Sequence, residues 1–248
     1  MGKGVPFLNR DGDGPIRSSL NLNESLLFGS VMFDFDVIVK NLPYLLSGVK
    51  FTIALAFLVI VLGTLMGVIL GLMKLARYRL VRYPAGFVVE ITRDTPIIMQ
   101  MFFIFFGLPA LGIRLNTFPA AALAMSLFAA GNTAEIVRGA IDSLPTGQFE
   151  AAKSLGMNYL QMMIYVILPQ ALRRMIPPMM GLFTTLIKDT SLAAIIGAFE
   201  LTRAGQEVIE RTFRSLEIYL VVAAFYFLIC YPLSLYTRKI EKRRVTGF

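Results

Sequence analysis

The chain has no histidine and no tryptophan, and Cys230 is its only cysteine. A disulfide within the chain, a zinc cluster and a histidine-based catalytic triad are therefore excluded, and no catalytic or metal-binding residue is assigned. Charge is also scarce, with Asp, Glu, Lys and Arg making up 16 % of 248 residues. No Gly-x-x-x-x-Gly-Lys-Ser/Thr phosphate loop is present, so ATP chemistry is not expected of this chain, nor any enzymatic activity of its own. Cys230, between Ile229 and Tyr231 in an apolar run, reads as a small packing residue.

What fills the chain instead is apolar side chain, 56 % of all residues. That balance belongs to an all-α polytopic membrane bundle, and the length suits one bundle with little left for a separate soluble domain. The net charge of +8 would suggest nucleic acid in a soluble protein. Here the basic residues stand at the ends of apolar runs, where they orient spans, so no nucleic acid is expected as a partner.

Residues 1–41 read as an N-terminal lead. Its Asn9–Pro15 stretch lacks the rest of a calcium loop, and the lead has neither the apolar length of a span nor the pattern of a signal peptide. An amphipathic piece at the membrane surface is expected over Phe33–Val39. Residues 42–248 are read as the transmembrane domain, with five spans. The first covers about Leu45–Met73 and carries Gly63, Gly67 and Gly71 at intervals of four, a face on which another backbone can approach closely. The second covers about Thr95–Ile113, preceded by an interfacial helix over Phe87–Thr92. The third runs from about Asn116 to Val137. The fourth is expected to start near Pro177 or Pro178 and run through Ile187, followed by a short partial helix over Ser191–Ala198. The fifth covers about Ile218–Tyr236. Lys74, Arg77, Arg79 and Arg82 after the first span, and Arg238, Lys239, Lys242, Arg243 and Arg244 after the last, put the N-terminus outside and the C-terminus in the cytoplasm.

Between the third and fourth spans, on the cytoplasmic side by this topology, lies Glu150-Ala151-Ala152, then Gly156, then Leu168-Pro169. Alanines keep a helix narrow, a glutamate near its start gives an anionic handle, and a glycine permits a tight turn. Such a helix is suited to lie in a groove on a cytosolic partner. The spacing Glu-Ala-Ala, three residues, Gly, nine residues, Ile, any residue, Leu-Pro resembles the signature of the permease subunits of ATP-binding-cassette importers of the polar amino-acid branch, with Val166 at the Ile position. The blocks Glu90–Pro96, Ala134–Arg138 and Ile187–Leu192 extend the resemblance over most of the chain after residue 40, although Asp94 stands where the family usually has Gly.

The resemblance implies a coupling helix at about 150–160, with Glu150, Ala151, Ala152, Gly156, Tyr159, Leu168 and Pro169 as the residues that engage the ATPase. It implies two cytosolic ATPase subunits holding ATP and Mg, a second permease, identical or homologous, and an external amino-acid-binding protein. The setting would be a bacterial plasma membrane, with lipid around the bundle. Ionisable residues at membrane depth are site hypotheses by default. Lys188, with Thr190, Ser191 and the N-terminus of a short helix after Asp189, would hold a substrate carboxylate. Glu90 and Gln100 would face the ammonium or a polar side chain, and Asn132 and Thr133 would line the same cavity. Internal pairing of Lys188 with Asp189, or of Glu135 with Arg138, is the structural alternative. Glu200, Arg203, Glu207, Glu210, Arg211 and Arg214 are candidates to meet the binding protein. A secondary transporter or channel acting without an ATPase is the rival reading; it would require inverted repeats or ion-coupling sites, neither of which is visible. A membrane scaffold that borrows the docking helix without transport is a second rival.

Overall fold

Residues 33–76 and 78–245 are described in a computed structural model, with side chains placed through Ile240. The first 32 residues, which hold most of the expected lead, Arg77, and the side chains of Lys242, Arg243 and Arg244 lie outside the described residues. Every regular element among the described residues is helical. Among the described residues, four helices are long and apolar enough to cross a membrane, and a bent pair, Arg79–Asp94 with Ile97–Leu111, makes five if it is taken as one span.

Helix α1, Phe35–Lys74, is 40 residues long. At 1.5 Å per residue it extends about 60 Å, twice the hydrocarbon thickness. The amphipathic piece expected over Phe33–Val39 is thus the beginning of this helix from Phe35 onward, with the Asp34 carboxylate accepting from the Asp36 amide at 3.0 Å. Helix α2, Arg79–Asp94, is likewise longer than the interfacial segment expected there. It meets α3, Ile97–Phe102, at a bend of 105°. Pro96 dictates the bend, because the residue before a proline avoids helical torsions and Thr95 is extended. Beyond α3 the chain loosens into a π turn over Phe103–Gly107 and a 3-10 turn over Leu108–Leu111.

Helix α4, Thr117–Asp142, is the centre of the bundle. Ala120, Ala121, Ala124, Ala129, Ala130 and Ala134 are all buried, so their short side chains let neighbours close in from several directions. The glycine face of α1 lies directly on it. A Cβ added at Gly67 would stand 2.4 Å from the Thr133 Cβ, and one at Gly63 would stand 2.4 Å from the Ala129 Cβ. Only hydrogen fits on this seam.

After α5, Thr146–Ser154, and the short α6, Tyr159–Met162, a π turn over Met163–Ile167 leads into α7, Leu168–Asp189, and a closing 3-10 turn over Thr190–Ile196. From Tyr159 to Ile196 the chain is one continuous helical run, long and apolar enough to cross a membrane. The helix thus starts well before Pro177 and Pro178, where the fourth span was expected to begin. An interior proline costs a helix about 3 kcal/mol. Ile167, Ala171, Met175 and Met179, four residues apart, form a buried stripe that packs with Val137 and Ile141 of α4 and carries the helix through Pro169, Pro177 and Pro178. The π turn just ahead of Pro169 takes up the strain of its missing amide.

The stretch that holds most of the candidates to meet the binding protein is α8, Leu201–Thr212. Leu201, Ala204 and Val208 turn inward against Leu45 of α1 and Ile218 and Val222 of α9, Ser215–Val245. Phe213, with φ of 55°, makes the left-handed link between them.

Candidate functional site

Helix α5 begins after Pro145 and ends in a glycine-capped reversal. The Met157 amide bonds the Ala152 carbonyl at 3.2 Å and the Gly156 amide bonds the Lys153 carbonyl at 2.9 Å, with Gly156 at φ of 73°. This paired arrangement needs a left-handed residue at Gly156 and satisfies two carbonyls at the helix end. A side chain at Gly156 would meet nothing within 4 Å, so the torsion and not crowding demands glycine. Asn158 then caps α6, accepting from the Gln161 amide at 2.9 Å while the Gln161 side chain accepts from the Asn158 amide at 3.0 Å. Both sides of the turn are thereby locked.

The two alanines have separate roles. Ala152 is only 2 % exposed and packs into the core formed by α4 and α7, so it seats α5 on the bundle rather than facing outward. Glu150, Ala151 and Gly156 are exposed, and Leu155, Tyr159 and Leu160 add a projecting apolar surface beside them. Leu168 is partly buried in the same core and Pro169 is exposed at the start of α7. Gln148 of α5 accepts from Gln170 at 3.0 Å, and Arg174 donates to Ser143 just before α5, so α7 holds the start of α5 in place.

The ionisable residues expected to form one cavity are divided among separate places. Glu135 of α4 gathers Lys74 of α1 at 3.3 Å, Arg93 of α2 at 3.8 Å and Arg138 at 2.8 Å. Glu90 stands 4.0 Å from Lys74 and is the exposed margin of this cluster. Gln100 lies in the bend between α2 and α3, donating to the Thr92 and Thr95 carbonyls at 2.8 and 2.9 Å and so satisfying groups that the break leaves open. It also lines an apolar cleft of about 740 Å³ against α4. The Asn132 amide donates to the Phe128 carbonyl at 2.9 Å within its own helix. Thr133 is fully buried under Gly67, and its hydroxyl has no partner among the described residues.

Lys188 belongs to a different place. It lies between α7 and α9, where two adjoining recesses of about 280 and 250 Å³ share Lys188, Ser234 and Arg238 as walls. The first also has Tyr226, Phe227, Cys230 and Tyr231, the second Gly181, Thr184, Thr185 and Thr237. No ion pair joins Lys188 to Asp189 among the described residues, and Asp189 does not line either recess. The short helix after Asp189 has no free N-terminus to offer a carboxylate, because Asp189 and Thr190 keep right-handed helical torsions and the turn continues α7. The Thr190 hydroxyl donates to the Ile187 carbonyl at 2.7 Å and the Ser191 hydroxyl to the Lys188 carbonyl at 2.8 Å. These two hydroxyls secure the helix end behind Lys188.

Glu200, expected on the surface, is 0 % exposed. Its carboxylate caps α8, accepting from the Thr202 and Arg203 amides at 2.8 and 2.7 Å, and accepts the Tyr226 hydroxyl of α9 at 2.7 Å. Thr52 of α1 accepts the Leu201 amide at 3.0 Å and stands 3.5 Å from Glu200. Tyr226 also lies 3.5 Å from Thr190 and 3.3 Å from Thr202. Burial pushes the Glu200 carboxyl above the usual carboxylate range, opposed by these donors. Farther along α8, Glu207 accepts from Arg203 at 3.1 Å and from the Tyr44 hydroxyl of α1, and Arg211 lies 5.5 Å from the Tyr44 ring. The sequence signals available for Glu200 were its place just before a helix and the Leu201, Ala204, Val208 spacing behind it. Tyr226, Ser234 and Arg238 gave no separate signal, since an aromatic and a hydroxyl inside a span and a cation at its end are ordinary there.

Against known proteins, residues 63–246 match the family described as the binding-protein-dependent transport system inner membrane component. The chain is 39 % identical over 215 residues to the glutamine transport system permease protein of Escherichia coli (strain K12), covering 86 % of this chain and 98 % of that one. It is 38 % identical over 226 residues to the L-cystine transport system permease protein of Bacillus subtilis (strain 168), covering 90 % and 96 %. Among solved structures, an amino acid ABC transporter with histidines aligns at a TM-score of 0.81 and 33 % identity, covering 86 % of this chain and 100 % of that one.

Proposed function

Because the chain belongs to the inner membrane component family of binding-protein-dependent transport systems, as an amino-acid permease of the ATP-binding-cassette type, we propose that it forms the translocation pathway of an importer for polar amino acids and is driven through α5 by ATP hydrolysis on cytosolic partners. Two ATPase subunits carrying ATP and Mg, a second permease and an external binding protein complete the importer, in a bacterial inner membrane with the N-terminus outside and α5 and the C-terminus in the cytoplasm. Glutamine and cystine, named for its relatives, support polar amino acids as the cargo class.

The single observation that carries the coupling reading is the rigid projection of α5. Its buried Ala152 fixes it to α4 and α7, the turn that ends it is locked at Gly156 and Asn158, and Leu155, 77 % exposed, projects there with Tyr159 and Leu160 beside Glu150. Exposed apolar residues rimmed by charge, outside the spans, suit a partner's groove. A push on a rigid lever moves what it is anchored to, here the inner ends of α4 and α7, and alternating access follows from two arrangements of the bundle.

Of the residues expected to meet substrate, Lys188 retains that assignment because it opens into the recess against α9. Asp189, Thr190 and Ser191 shape the helix end behind it. Glu90, Gln100, Asn132 and Thr133 are engaged in contacts that hold the bundle. Gly156→Asp and Glu150→Lys test the coupling reading: the ATPase subunits should no longer co-purify with the permease at the wild-type ratio. Full co-purification and unchanged ATP-driven uptake in both variants would overturn it.

A further inference from the structure

The recess between α7 and α9 has an uneven chemistry that its role in passage alone does not require. One end is aromatic: Tyr226, Phe227 and Tyr231 line it, with Phe227 and Tyr231 stacked at 4.9 Å between ring centroids. The other end is basic and hydroxylic, with Lys188 and Arg238 accompanied by Ser234, Thr237, Thr184 and Thr185. Among the described residues, no aspartate or glutamate lines either part. Glu200 touches Tyr226 from behind but is fully buried and outside the lining, and its carboxylate is taken up by the Thr202 and Arg203 amides and the Tyr226 hydroxyl.

An α-amino acid is a zwitterion whose two charges lie one carbon apart. A carboxylate is favoured beside a lysine and an arginine, the latter with a planar fork suited to it. An ammonium is favoured over aromatic faces. Neutral polar side chains find the four hydroxyls. A second cation on the side chain finds no anion among the described lining residues and meets two like charges instead, the repulsive element from which selectivity is built. A volume near 280 Å³ is below that of sites for drug-sized molecules and suits a single small solute.

We propose that this recess selects the cargo by net charge, admitting neutral and acidic amino acids and rejecting those with cationic side chains, with Lys188 and Arg238 as the specificity-determining residues. The inference rests on the reading of the chain as an amino-acid importer subunit, and it assigns Arg238 a role beyond anchoring the end of the last span.

Because an external binding protein would filter the cargo first, the test uses the permease with its ATPase subunits and without the binding protein. Equilibrium binding of radiolabelled glutamine, glutamate and arginine is measured on that complex, and ATP-driven glutamine uptake is measured separately with the binding protein restored. Glutamine and glutamate should bind about ten-fold or more tighter than arginine. The double variant Lys188→Gln, Arg238→Gln should lose most of that preference, while Lys188→Arg, which keeps the charge, should retain it and shows that the fold survives change at the site. Equal affinity for arginine and glutamine in the wild type, or an unchanged preference in the double variant, overturns the inference. So does amino-acid binding that ignores both substitutions while co-purified phosphatidylglycerol is lost, which would make the recess a lipid headgroup site. In each of these cases intact ATP-driven glutamine uptake leaves the importer reading standing; absence of ATP-driven uptake of any amino acid would instead remove that reading.

Discussion

Glu135 and Glu200 are two carboxylates inside one bundle, held by opposite means. Glu135 stands where three helices end and collects Lys74, Arg93 and Arg138 around itself. Glu200 lies in the interior among neutral donors, two backbone amides and the Tyr226 hydroxyl, with Thr52 nearby. The first arrangement uses charge that water still reaches, so it tolerates loss. The second depends on every donor being met, because a buried group without its partner bears the full cost of desolvation. Together they show that a charge in a membrane protein is not one kind of feature: at a helix end it ties elements together loosely, and in the interior it fixes geometry.

That difference can be broken at several points. The largest effect is expected from Glu200→Ala, which removes the cap of α8 and strands the Tyr226 hydroxyl and two amides. A loss of about 3 kcal/mol or more is expected, read as a lower thermal unfolding midpoint in detergent. Tyr226→Phe should cost about 1 to 2 kcal/mol by the same measurement, since one donor to a charged acceptor is lost while the ring remains. Glu135→Gln should cost about 1 kcal/mol or less and its effect should shrink as salt is raised, whereas the Glu200 variants should be insensitive to salt.

The two carboxylates also separate by pH. Burial raises the folded pKa of Glu200 above its unfolded value, so its contribution is fully present below the unfolded pKa and is lost as pH rises through the folded one. Wild type should therefore lose stability relative to Glu200→Gln as pH rises across that window. The smallest effect is expected at Thr133, whose buried hydroxyl has no partner among the described residues: Thr133→Val keeps the shape under Gly67 and should be neutral to slightly stabilising.

The same contrast explains what could be read from the sequence. The all-helical class, the glycine face of α1 and the projecting helix before Gly156 follow from spacing and composition, because small residues at fixed intervals leave a visible pattern; that α4 is what lies on the glycine face does not. Glu135 with Arg138 was also visible, since residues three apart on a helix meet. The start of the fourth span was not, because Pro177 and Pro178 suggest a beginning when read locally and only the buried stripe from Ile167 to Met179 shows otherwise. Glu200 was taken for a surface charge because nothing nearby in sequence reveals that Thr52 and Tyr226 close over it. Glu90, Gln100 and Asn132 each make a contact with a different partner, and the recess beside Lys188 is completed by α9 residues far along the chain.

Uptake of radiolabelled glutamine by proteoliposomes containing the permease, its ATPase subunits and its binding protein, measured with and without ATP in wild type and in Gly156→Asp, tests the coupling of cargo movement to α5 most directly. The account predicts uptake that requires ATP and falls by about ten-fold or more in the variant, as expected when coupling between distant sites is lost. Glutamine uptake that proceeds without ATP, or that is equal in wild type and Gly156→Asp, would contradict it.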